Sequence, residues 1–137
     1  MADINLVAAW TGILLGMAGG AALGLFFHKE EWLGGYGSWR RRLVRLGHIS
    51  LFGLAFINLA FVLTADRMEW TAAGTPGIAA ASILLVAGAA LMPTVCGLAA
   101  WRMPLRHLFF LPVGCLVAGA GIVANALASP LLKGAGS

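Results

Sequence analysis

Residues 77–101 read GIAAASILLVAGAALMPTVCGLAAW, a run without a single Lys, Arg, Asp or Glu. A helix that crosses a bilayer needs roughly 20 mostly apolar residues to span a hydrocarbon core of about 30 Å. Working outward, three more blocks have the same character: Asn5 to Phe27, Gly47 to Ala65 and Leu105 to Ser129, in which Arg106, near an end, is the one charged residue. Four such blocks define an all-α chain, a polytopic membrane protein whose expected form is a four-transmembrane-helix up-down bundle. No linker, tandem repeat or soluble domain interrupts it, so residues 1–137 are read as one domain.

Composition points the same way. Of the residues, 61% are hydrophobic and 10% are charged, and 19 glycines are spread through the apolar blocks. A soluble domain of this length lacks the interior volume to hide that much apolar surface. The formal charge of +4 does not indicate nucleic acid, because the basic residues abut the apolar blocks, where they set orientation. The first connection carries Lys29, Arg40, Arg41, Arg42 and Arg45, and the third carries Arg102 and Arg106. The second has Arg67 beside Asp66 and Glu69, and the tail has Lys133. The positive-inside rule therefore puts the loop 28–46 and the third connection in the cytoplasm, with both termini on the outer side. The expected location is a bacterial inner (cytoplasmic) membrane, and the first block, preceded only by Asp3 as a charge, is expected to remain as a helix. Trp32, Trp39 and Trp101 on the inner side, and Trp70 on the outer, fall where interfacial aromatic belts form.

Local signals refine the helices. Thr75-Pro76 reads as an N-cap and first-turn proline opening the third helix, and Pro104 opens the fourth in the same manner. Pro93 and Pro112 fall inside the third and fourth blocks as expected kinks. Ser38 to Leu46 reads as a basic helical extension of the second span near anionic headgroups, preceded by a glycine-rich turn from Trp32 to Gly37. Gly12, Gly16, Gly20 and Gly24 recur every fourth residue and so share one face of the first helix, a groove against which another backbone packs. Asn58 and Asn125 are polar residues within spans, expected to bond between helices. Cys96 and Cys115 lie in apolar blocks without a redox spacing.

Chemistry is sparse. No nucleophile motif, phosphate loop or carboxylate pair is present, and no carboxylate occupies mid-span, as ion translocation normally requires. His28, His48 and His107 lie at block ends that the topology brings to the cytoplasmic rim. Two imidazoles from different helices would ligate a haem b, with Arg45, Arg102 or Arg106 for its propionates, or bind a quinone. Three would hold a metal with Glu30 or Glu31. The bland reading makes all three interfacial, and no metal site is assigned. The expected function is a small accessory or structural subunit of a larger membrane complex, of respiratory or photosynthetic type, whose partners are the bilayer and other membrane subunits. The alternatives are a haem b or quinone electron-transfer protein and a small transporter or channel.

Overall fold

The computed structural model describes the backbone of residues 2–134 and the side-chain surroundings of residues 3–129, so the side chain of Lys133 lies outside the described residues. It is all-helical: α1 (Ala2–Gly24), α2 (Trp39–Arg67), α3 (Ile78–Trp101) and α4 (Phe110–Gly134), with 3-10 segments at Trp32–Gly34 and Met103–Phe109. Four helical stretches are long and apolar enough to cross a membrane. The inner pair, α2 and α3, is more deeply buried than the two outer apolar stretches, Asp3–Gly24 and Met103–Ser129. Neighbours in sequence pack together, α1 also touches α3, and α4 packs along α3 and the second 3-10 segment.

The helix ends carry their own explanations. Ser38 caps α2: its Oγ accepts from the Arg41 amide at 3.2 Å and donates to the Leu33 carbonyl at 2.7 Å. The basic stretch and the second apolar block are thus one continuous helix. At its other end the Trp70 amide reaches back to the Ala65 carbonyl at 2.8 Å and the Glu69 amide to the Asp66 carbonyl at 3.1 Å. Glu69 sits at φ 53°. This is the Schellman pattern, and it turns Trp70 onto the cluster of Phe61, Ile78, Ala81 and Leu85. The last carbonyls of α3 receive side-chain donors from α2, Trp39 Nε1 to Ala99 at 3.3 Å and Arg40 Nε to Ala100 at 3.1 Å. Helix C-termini have orphan acceptors, and a cationic donor also suits the dipole there.

Several expected boundaries shift. Thr75 is not the cap of the third helix: Gly77, at φ 80°, holds that position without a side-chain bond, and Ile78 begins the helix. The left-handed turn at Gly77 leaves the Thr75 carbonyl, not its hydroxyl, to take the Ile78 amide at 3.3 Å. Pro104 opens a 3-10 segment, and α4 starts only at Phe110. That start puts Pro112 in the first turn, where no intrahelical acceptor awaits its missing amide, so it does not interrupt the helix interior as expected. His107 consequently precedes α4. The first helix ends at Gly24 and leaves Phe27 and His28 in the following turn, and His48 lies well inside α2 rather than at its start.

Small residues set the helix spacing. A methyl group at Gly12 would lie 3.0 Å from Ala55 Cβ, at Gly16 2.7 Å from the Phe52 ring, and at Gly20 2.8 Å from His48 Nε2. A methyl at Gly24 would meet nothing within 4 Å. Across the next seam, Gly47 would approach Cys96 Cβ at 3.0 Å, and Gly88 would meet Leu116 of α4 at 2.5 Å. At Gly16, Gly20 and Gly88 a ring or a branched side chain rests on bare backbone, and at Gly12 and Gly47 a small residue, Ala55 or Cys96, does so; in each case closeness comes from the absence of a Cβ atom.

One polar node ties three helices. Asn5 Nδ2 donates to Asn58 Oδ1 at 2.8 Å and to the Ser82 carbonyl at 3.2 Å, while Ser82 Oγ donates to Asn5 Oδ1. Asn58 Nδ2 donates in turn to the Leu54 and Leu85 carbonyls at 2.9 and 3.4 Å. All three side chains are buried. Asn58 therefore has its partners on α1 and α3; Asn125, by contrast, is exposed.

Candidate functional site

The most unusual side chain is Arg41, in the first turn of α2. It stands in a run of three arginines, yet it is only 2% exposed, whereas Arg40 and Arg42 are exposed. Burial comes from the connection that precedes it. Leu33, Gly34 and Gly35 take φ values of 58°, 87° and 91°, a left-handed stretch that folds the chain back over the start of α2. Three rings then face the guanidinium: Tyr36 at 4.9 Å, Phe27 at 5.5 Å and Trp32 at 5.7 Å from centroid to Cζ. Trp32 is fixed by stacking on Phe26, 5.5 Å away with planes 9° apart.

Carbonyls complete the enclosure. Nη1 donates to Glu30 O at 3.2 Å and Nη2 to Phe27 O at 3.4 Å. The Nε of Arg41 is buried with no hydrogen-bond partner. Arginine stays protonated in proteins, so this is a permanent cation held by π faces and backbone dipoles. Beside it lies an open hollow of about 730 Å³, lined by Arg41, Phe27, Tyr36, Glu30, Glu31 and the Gly34-Gly35 backbone.

The residues singled out from the sequence fall in three places. Arg45 and His48 are brought together: both line a second cavity, of about 250 Å³, with Gly20, Leu23, Phe27 and Ile49. Arg45 also lies over the Tyr36 ring, at 5.0 Å from its centroid. The His48 ring sits over Gly20 and leans on Phe52 at 5.6 Å. That cavity is below the roughly 300 Å³ at which small-molecule pockets begin. His28 is exposed in the turn after α1. Arg106 and His107 are exposed on the 3-10 segment, whose packing neighbours are α3 and α4. Arg102 lies over the Trp101 ring at 5.8 Å. Among the described residues no group of three His, Cys, Asp or Glu side chains is placed to hold a metal ion. Cys96 and Cys115 are free thiols.

Sequence reasoning passed over Asn5 and Ser82, whose signal was present: each is a lone polar residue near the start of an apolar block. It also treated Arg41 as one of a surface run. The pointer there was the spacing of Phe27, Trp32 and Tyr36 ahead of a serine cap. Chemically, the arrangement offers a buried fixed cation, two nearby carboxylates and an aromatic wall, which suit binding rather than bond making.

Comparison of the chain with protein-family models, with curated proteins and with solved structures returns no match.

Proposed function

We propose that this chain is an integral membrane scaffold, a small accessory subunit that holds its place in a larger membrane assembly. In this reading the four helices form an up-down bundle in a bacterial inner membrane, with both termini on the outer side. The observation that carries it is the inside-out distribution of polarity. The amides of Asn5 and Asn58 and the hydroxyl of Ser82 turn inward onto one another, while Val7, Trp10, Leu14 and Met17 of α1 and Phe110, Val113 and Val117 of α4 are exposed. Water would not favour such a surface, and lipid or a neighbouring subunit's helix would.

Helix length supports the same reading. The 29 residues of α2 extend about 44 Å at 1.5 Å each, about 14 Å more than a hydrocarbon core. The surplus matches the turns that carry Arg40, Arg41, Arg42 and Arg45, which belong at the headgroups. Committing His48 to the α1 seam and placing His107 on a segment packed against α3 and α4 favours the scaffold reading over paired haem ligands.

Purification from native membranes in a mild detergent, with chemical cross-linking beforehand, tests the proposal. The expected result is stoichiometric co-purification of a defined membrane partner from a colourless preparation. A chain that cross-links to nothing at native abundance would overturn the accessory role. A Soret band lost in His48→Ala would replace it with electron transfer, and reporter fusions placing the 28–46 loop outside would overturn the orientation.

A further inference from the structure

The hollow beside Arg41 combines features that a plain anion site and a plain cation site do not share. Arg41 brings a buried guanidinium whose Nε–H lacks an acceptor. Such a donor lowers its free energy by gaining an anionic oxygen, and guanidinium and phosphate are well matched in geometry. The same hollow is lined by Glu30 and Glu31, both exposed side chains on the turn that covers Arg41. A purely anionic ligand would meet their repulsion. A purely cationic one would meet Arg41, with Arg45 stacked on the same Tyr36 wall. A dipolar ligand carrying a phosphate and an ammonium satisfies both.

Position selects the source of that ligand. The hollow opens where the apolar α1 gives way to the charged turn, at Phe27 and Glu30, which is headgroup depth if the chain spans the membrane. We propose that it binds the phosphoethanolamine head group of a membrane lipid, the phosphate accepting from Arg41 and the primary ammonium donating to Glu30 and Glu31. A primary ammonium has three N–H donors for carboxylates, whereas a quaternary choline has none and a glycerol head group has no cation. The site therefore discriminates phosphatidylethanolamine from phosphatidylcholine and from phosphatidylglycerol. This inference rests on membrane insertion as proposed above, and it adds a ligand to that reading.

The test uses the full chain in nanodiscs of phosphatidylcholine containing equal amounts of phosphatidylethanolamine and phosphatidylglycerol, with retained lipid counted by native mass spectrometry. The wild type is expected to retain phosphatidylethanolamine about tenfold over either competitor, the factor of one charge-assisted hydrogen bond. Arg41→Gln should abolish retention. Because that change also removes a packed side chain, the double variant Glu30→Gln/Glu31→Gln supplies the sharper readout: its turn keeps both side-chain lengths, and its preference should invert toward phosphatidylglycerol. Soluble phosphoethanolamine should compete, and inorganic phosphate at equal concentration should not. Equal retention of the three lipids, an unchanged preference in the double variant, or displacement by inorganic phosphate, which would mark a free anion as the ligand, each overturns the proposal. A chain that fails to enter nanodiscs overturns membrane insertion as well, whereas one that enters without selectivity overturns the head-group site alone.

Discussion

Replacing Asn5 by Ala removes three hydrogen bonds of the buried node: the two that its Nδ2 donates, to Asn58 and to the Ser82 carbonyl, and the one that its Oδ1 accepts from Ser82. Hydrogen bonds between membrane helices average about 0.6 kcal/mol each and reach about 1.7. The expected loss is therefore about 1.8 kcal/mol, with a little more from the space left behind. Asn58→Ala removes the bond from Asn5 and the two to the Leu54 and Leu85 carbonyls, for about 1.8 kcal/mol on the same scale. Since both variants delete the Asn5–Asn58 bond, the double variant should be less destabilised than the sum of the two by about 0.6 kcal/mol. Unfolding in mixed detergent and dodecyl sulfate, followed by circular dichroism, gives each value. A loss under about 0.5 kcal/mol for Asn5→Ala, or strict additivity in the cycle, would refute the reasoning that this node fastens α1 to α2 and α3.

Three further outcomes follow from the packing and the caps. Gly16→Leu should destabilise by about 1–3 kcal/mol through overpacking, because a Cβ there already falls 2.7 Å from Phe52; Gly24→Ala, in open space, should stay within about 0.5 kcal/mol of the wild type in the same unfolding assay. Ser38→Ala should cost about 1 kcal/mol as a lost cap and, with the Leu33 bond gone, speed proteolytic cleavage between residues 29 and 38; an unchanged cleavage rate would sink the idea that Ser38 fastens that turn. Glu69→Gly should stabilise by about 0.5 kcal/mol, the left-handed strain relieved at φ 53° less the extra backbone entropy of glycine, and a lowered Tm would count against it.

The helices were legible because hydropathy accumulates over twenty residues, so the error of any one position averages out. Their ends were less so, since a cap is decided by one or two torsion angles. Thr75-Pro76 carries an ordinary start signal, but Gly77 follows it, and the left-handed turn that glycine permits moves the start onward. The three arginines show why the site was harder to read. Arg40, Arg41 and Arg42 are chemically identical, and successive residues of a helix differ in direction by about 100°. Which one is enclosed depends on the phase of α2 against a turn whose course rests on Leu33, Gly34 and Gly35. His48 lies between the extremes: its place one turn beyond Arg45 was visible from spacing, and the two do share a cavity. That its ring rests on Gly20 depended on the register of α1 with α2.

The Asn5, Asn58 and Ser82 node also imposes an order on biosynthesis. Its members are drawn from α1, α2 and α3, and the two ends are 77 residues apart in the chain. At about 5–20 residues per second, the ribosome takes about 4 to 15 s to supply Ser82 after Asn5 has been made. During that interval the amide near the start of α1 has no Ser82 partner, and Asn58 is the one member of the node already made. Of these four helices α4 follows the others in the chain, and it packs mainly on α3. The first helix can pack on the second as soon as both are made, but the node itself is complete only when the third supplies Ser82.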